Sequence, residues 1–284
     1  MGQLDGKVAV VTGATSGIGD RIAELFVEEG ASVVAAGRRS DEGSALEARC
    51  GDSLSFIRTD VSVEADVKAM IDHAVSRFGR LDCLVNNAGS GSPMVSITEA
   101  TAEQFDGVFV VNVRGVFFGI KHAAAVMLHQ RAGSIITISS VAGLRGGLAS
   151  PIYSGSKAAA SQLTRSAAAE LSYAGIRLNC ISPGGIVTGI LAKAAGVGGA
   201  DADRVLGVIR NRFASLQPIP RAGETDDIAQ AAVFLASDAS SFITGQDIAV
   251  DGGMVPFGNY GWHESVGLRA DVSRLVKEEI AKGS

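Results

Sequence analysis

Tyr153 and Lys157 stand four residues apart, and Ser140 precedes the tyrosine by thirteen. Positions i and i+4 share one face of a helix, so the phenol and the ammonium can lie side by side. A cation beside a phenol favours the phenolate and draws a group that titrates near ~10 toward neutral pH. Such a group can donate a proton and take it back. Ser140 ends the apolar run Ile135-Ile136-Thr137-Ile138-Ser139, which reads as a buried strand. Its hydroxyl therefore emerges at a strand's carboxyl end, where open α/β sheets place ligands. An isolated Y-x-x-x-K is ordinarily a surface pair, so this trio gains meaning only if the rest of the chain supplies a cofactor pocket in register.

The elements that must position it are legible. Ser154–Tyr173, rich in Ala, Gln, Leu, Arg and Glu, predicts the helix that carries Tyr153 and Lys157 at its start. Lys7–Thr12 (KVAVVT) is apolar without alternation, as in a strand covered on both faces. It runs into Gly13-Ala14-Thr15-Ser16-Gly17-Ile18-Gly19, followed by a helix with the stripe Ile18, Ile22, Leu25, Phe26 and a stop at Gly30. Glycines between a first strand and an amphipathic helix let the backbone approach a pyrophosphate at the helix N-terminus. Ala31–Ala36 is the second strand. After it, where an NAD site usually carries an acidic residue, stand Gly37-Arg38-Arg39, which suit a 2′-phosphate and favour NADP over NAD.

Further strands are predicted at Leu54–Thr59, Leu81–Val85, Ile135–Ser139, Ile176–Ile181 and Asp247–Val250, and further helices at Ala65–Phe78, Ala102–Gln130 and Asp226–Ala236. Asp60, just past the third strand, either faces an adenine or caps the next helix. Asn112 interrupts the long helical pattern (VVNVRG), where it either satisfies a kink or holds a water near the site. Residues 189–215, glycine- and alanine-rich without clear period, read as a mobile cover over a pocket.

With 284 residues, 46% hydrophobic, and 36 glycines, the chain suits one large α/β domain. A net charge of -5 and a pI near 5.4 argue against a nucleic-acid partner. No apolar run reads as long enough to span a bilayer, and MGQLDGKVAVV lacks a secretory signal, so the expected location is cytoplasmic. Cys50, Cys83 and Cys180 form no disulfide framework. Neither they nor His73, His122, His129 and His263 show metal-ligand spacing, so no metal is expected. Cys83 and Cys180 read as buried small hydrophobes.

Seven strands alternating with helices, T-G-x-x-x-G-I-G at Thr12–Gly19, N-N-A-G at Asn86–Gly89, Asn112, Ser140, Y-x-x-x-K at Tyr153–Lys157 and P-G-x-x-x-T at Pro183–Thr188 together resemble the short-chain dehydrogenase/reductase family over residues 5–253. The resemblance implies a doubly wound Rossmann fold, a seven-stranded parallel sheet with helices on both faces. It implies one dinucleotide-binding catalytic domain over 1–253, with 189–215 as its substrate lid and 254–284 as an extension. It also implies a catalytic tetrad. Tyr153 is proton donor and acceptor, Lys157 lowers its pKa and holds the nicotinamide ribose, Ser140 polarises the substrate oxygen, and Asn112 positions a relay water. Gly13, Ser16, Ile18 and Gly19 would line the pyrophosphate, Arg38 the 2′-phosphate, Asp60 and Val61 the adenine. Asn87 and Ala88 would follow the ribose, and Ile186 and Thr188 the carboxamide.

The implied reaction interconverts a secondary alcohol and a ketone, and the implied assembly is a homotetramer built partly on helices 105–128 and 154–172. The pocket wall (Gly91–Met94, Val141–Leu148, Gly184, Gly185 and the cover) is small and apolar, with Arg145 its only candidate clamp, so a neutral, fairly hydrophobic substrate is expected. Alternatives are an NAD-linked dehydrogenase working oxidatively, a dehydratase or epimerase, and a non-catalytic dinucleotide sensor or scaffold.

Overall fold

All seven strands pair in parallel in a single sheet in the computed structural model, which describes residues 2–188 and 200–257. They are β1 (Val8–Thr12), β2 (Ser32–Gly37), β3 (Leu54–Arg58), β4 (Cys83–Asn86), β5 (Gly133–Ile138), β6 (Ile176–Pro183) and β7 (Asp247–Val250), in the order β3-β2-β1-β4-β5-β6-β7. The doubly wound expectation holds. Alternate residues of β1 enter different cores. Ala9 and Val11 pack with Ile22 and Phe26 of helix α1 (Gly17–Glu28), Val8 and Val10 with Met70 and Ile71 of the helix Glu64–Phe78. Burial on both faces explains the unbroken apolar runs. Strand order reverses at β1 and β4, whose crossover helices leave to opposite faces. A crevice opens there at the carboxyl ends.

The intervening helices are α2 (Ser40–Cys50), α3 (Glu64–Phe78), α4 (Ala102–Phe109), α5 (Gly115–Gln130), α6 (Val141–Leu144) and α7 (Pro151–Leu171). Two expectations need correction. The helical run Ala102–Gln130 is, by length and composition, apolar enough to cross a bilayer. It buries Gly119, Ile120, Ala123 and Met127 within the fold. The stretch 189–215 is in part regular. Residues 189–199 lie outside the described residues, but Ala200–Ala214 forms a helix, α8. Its period is carried by Leu206, Ile209 and Phe213 and masked in sequence by the small residues around them. Helix α9 (Thr225–Ala236) packs on α1, and a single turn, Met254–Phe257, packs on α6. Residues 258–284, Trp262 and His263 among them, lie outside the described residues.

Cys83 and Cys180 are buried, as read from the sequence, and burial pushes their thiols up to about 12 and about 11. The thiolate is the nucleophile, so both should resist alkylation. At pH 8, iodoacetamide is expected to label Cys50 alone in the native protein and all three cysteines after denaturation, as mass spectrometry will show.

Candidate active site

The glycine loop is held by a threonine. The Thr12 hydroxyl donates to Val85 O (3.2 Å) and accepts from the amides of Asn87 (2.9 Å) and Ala88 (3.0 Å), so it clamps the end of β1 to the end of β4. The Asn87 side chain donates to Thr12 O (2.8 Å) and Gly13 O (3.3 Å). Its amide is therefore turned onto the loop itself. Gly13 has φ 66°, and a Cβ there would stand 2.9 Å from Ala88 Cα, so only glycine fits. Thr12 is visible within the motif, but its clamping role has no sequence signal, because all three partners come from the end of β4 and the turn after it, more than seventy residues away.

Helix α1 opens with Ser16 as a cap that makes no side-chain bond to the first turn, which leaves those amides facing the crevice. The one acidic side chain of that turn, Asp20, is turned to Arg49 (2.9 Å). Arg39 donates to Thr15 Oγ1 (2.9 Å) and Ser16 Oγ (2.6 Å) and pairs with Glu42 (3.1 Å). Arg38 is exposed and makes no hydrogen bond or ion pair among the described residues. Unpaired amides, a close-packed glycine and the uncommitted Arg38 fit the phosphates of a dinucleotide. Asp60 accepts from the amide (2.9 Å) and hydroxyl (2.7 Å) of Ser62, bonds that hold its carboxyl below the usual range, helped by nearby Arg38 and Arg58. It does not cap α3, whose N-cap is Val63. Val61 packs on Gly115, where a Cβ would lie 2.9 Å from Val61 Cγ2.

On the other side of the crevice Ser140 caps α6, its Oγ accepting from the Ala142 amide at 3.2 Å. One lone pair is thereby fixed and the hydroxyl hydrogen remains free to donate. Helix α7 begins at Ser150, whose Oγ accepts from the Tyr153 amide (3.3 Å), with Pro151 preset in the first turn. That cap places Tyr153 in the first turn and Lys157 one turn on. Lys157 is 6% exposed, and its Nζ donates to Ile138 O (2.8 Å) and sits 5.8 Å from the centre of the Tyr153 ring. Among the described residues no carboxylate forms an ion pair with it.

Asn112, 1% exposed, lies in a π-helical turn, Val110–Arg114. Its Nδ2 donates to Ser90 O (3.0 Å) and Ser156 Oγ (3.0 Å), and its Oδ1 accepts from Ser90 N (2.8 Å). The amide is thus held by the loop after β4 and by α7, and one Oδ1 lone pair is left over. A Cβ on Gly89 would stand 3.4 Å from Asn112 Oδ1 and 3.5 Å from Lys157 Nζ, which brings those two groups to the same spot. Ser90 and Ser156, unnoticed in the sequence, hold Asn112 there.

The loop after β6 is stitched in place. Gly185 N donates to Gln217 Oε1 (3.1 Å), and Val187 N to Gly223 O (2.8 Å), beside a bridge between Ile186 and Gly223. The Thr188 methyl would lie 3.6 Å from a Cβ on Gly17, so this loop meets the glycine loop. Gln217 is buried and follows α8, a placement no motif announced.

A family model described as enoyl-(acyl carrier protein) reductase matches residues 13–255. Momilactone A synthase of Oryza sativa subsp. japonica is 46% identical over 254 residues, 89% of this chain and 91% of that one. The chain belongs to the short-chain dehydrogenase/reductase family. Within it, (+)-borneol dehydrogenase 2 of Salvia officinalis is 44% identical, over 88% of this chain and 90% of that one. The crystal structure of levodione reductase superposes with a TM-score of 0.80 at 30% identity, over 89% of this chain and 99% of that one. This short-chain dehydrogenase/reductase is an NAD(P)-dependent oxidoreductase acting on CH–OH and C=O groups.

Proposed function

We propose that this enzyme prefers NADP and interconverts a neutral, fairly hydrophobic secondary alcohol and its ketone. The observation that carries the reading is a buried Lys157 ammonium beside the Tyr153 ring, opposite a Ser140 hydroxyl with its hydrogen uncommitted. Gly13, Ser16, Ile18 and Gly19 would hold the pyrophosphate, Arg38 the 2′-phosphate, and Asp60 and Val61 the adenine. Asn87, Ala88, Tyr153 and Lys157 would hold the ribose, and Ile186 and Thr188 the carboxamide. The chemistry the dinucleotide supplies, when bound, is hydride transfer at the substrate carbon. Ser140 donates a hydrogen bond to the substrate oxygen. Tyr153 gives that oxygen its proton in reduction and takes it in oxidation. Lys157 keeps positive charge beside the tyrosine oxygen while that proton is away. Asn112, with its spare lone pair, holds a water through which the proton is replaced from solvent.

Exposed apolar side chains after the carboxyl ends of β4 and β5 support the substrate class. Met94 (81% exposed), Ile97, Leu144 and Leu148 present hydrophobic surface there, and Arg145 is exposed. One relative is named for borneol and the structural neighbour for levodione, so both compounds belong in the assay. The proposal includes 189–215 as cover, supported by Phe213 of α8 packing at Gly185. It also includes a homotetramer, supported by the exposed Phe105, Phe117 and Leu128 on α4 and α5.

Turnover of reduced cofactor with a panel of ketones, and of oxidised cofactor with alcohols, tests the reaction. No turnover from a protein that binds cofactor would sink it. The cofactor preference rests on Arg38. Arg38→Ala is expected to weaken NADPH binding about tenfold, the order of one charge-assisted contact, and to leave NADH unchanged. Calorimetric dissociation constants check this, and equal losses for both cofactors would favour the NAD reading.

A further inference from the structure

The carboxylate of Asp247 is buried and plays no part in the chemistry above. The Asp247 side chain, at the start of β7, is 1% exposed. Its ion-pair partner, Arg165, is 3.6 Å away and 40% exposed, too far and too wet to compensate a buried charge. Two hydroxyls do so instead. Ser182 donates to Oδ1 (2.6 Å) and Ser161 to Oδ2 (2.7 Å). Both serines are fully buried, as is Ser139, whose Oγ lies 2.7 Å from Ser161 Oγ and 3.1 Å from Lys157 O.

Each end of this network reaches the reacting groups. Ser182 immediately precedes Pro183 and the loop of Ile186 and Thr188. Ser139 immediately precedes Ser140, and its hydroxyl bonds the backbone of Lys157. Ser161 lies one helical turn beyond Lys157 on α7. Ser139 and Ser161 carry two hydrogens for three short contacts, so the carboxylate end decides which way the row points. With Asp247 ionised, the Ser161 hydrogen goes to it, and the single hydrogen of Ser139 is shared between Ser161 Oγ and Lys157 O.

We propose that Asp247 is a positioning residue for catalysis. Through Ser161 and Ser139 it sets the α7 turn of Tyr153 and Lys157 against the end of β5, and through Ser182 it sets the loop after β6. The proposal rests on the reading of Tyr153 and Lys157 as the reacting pair. It predicts an effect on the transition state rather than on ground-state binding, because no member of the row is among the residues proposed to hold substrate or cofactor.

Asp247→Asn keeps the shape, removes the charge and reverses the row, since an amide donates to Ser161 where a carboxylate accepts. Ser161→Ala cuts the row in its middle. Each is expected to lower kcat about tenfold, the order expected of a sub-ångström misplacement, with KM and the NADPH dissociation constant within about twofold. The double variant is expected to be no worse than the worse single one, because both break one pathway. Normal kcat in Asp247→Asn and Ser161→Ala, with only a lowered Tm, would reduce Asp247 to a structural residue. Additive losses in the double variant would also overturn the proposal. Should Asp247→Asn fail to fold, Ser161→Ala decides by the same split between kcat and KM. Tyr153→Phe runs alongside. If it is inactive while both row variants are normal, this inference alone fails; if it is fully active, the reading beneath it fails first.

Discussion

Tyr153→Phe is expected to lower kcat by about 10²–10⁴-fold, the usual contribution of a positioned proton donor, while NADPH binding and Tm stay near those of the parent enzyme. The stability half follows from the site. Tyr153 is half-buried, and its hydroxyl makes no hydrogen bond among the described residues, so removing it strands no partner. The packing of the ring is unchanged, and the effect on stability should stay within about 0.5 kcal/mol. Steady-state kinetics in both directions, a calorimetric titration with NADPH and a thermal melt together separate the two halves. Full activity would remove Tyr153 from the chemistry. Lost activity accompanied by a large drop in Tm would mean that the hydroxyl was holding the fold.

Lys157→Met should separate activity from stability even more clearly. Lys157 is 6% exposed, its Nζ is bonded to Ile138 O at 2.8 Å, and it has no carboxylate partner among the described residues. A buried, unpaired charge costs several kcal/mol of desolvation, whereas one hydrogen bond from a charged donor returns about 1.5–3 kcal/mol. The balance favours an unbranched apolar side chain of similar length. Tm is therefore expected to be equal or higher, with kcat down at least about 10²-fold and NADPH bound more weakly. A melt and a kinetic assay on the same preparation are sufficient. A clearly lower Tm would show that the cation contributes to the fold and would undercut the view that it is retained for chemistry at a cost in stability.

Much of this could be read from residues in order. The strands β1, β2 and β4 declare themselves because both faces are covered, so their central positions are apolar without alternation. Glycines at a strand–helix junction identify the cofactor loop because backbone conformation at Gly13 (φ 66°) is a local property. Tyr153 and Lys157 share a face by helical geometry alone, and the Ser150 cap with Pro151 fixes where that helix starts.

The remaining features depend on partners distant in sequence. A pattern can show that Asn112 is out of place in an apolar helix; its partners Ser90 and Ser156 depend on where the loop after β4 and helix α7 are brought alongside. Asp60 could equally have faced a base or capped α3 until Ser62 claimed its carboxylate. Between two adjacent arginines, sequence offers no reason to distinguish them, yet Arg39 is tied to Thr15 and Ser16 while Arg38 is not. Period and local backbone preference are properties of neighbouring residues, so the order of residues determined the elements, the glycine turn and the reacting pair. Hydrogen-bond satisfaction of buried polar groups is a property of whatever the sheet brings alongside, so only the tertiary structure could decide that Thr12 clamps two strands and that Ser161 and Ser139 lie between the Asp247 carboxylate and the backbone of Lys157.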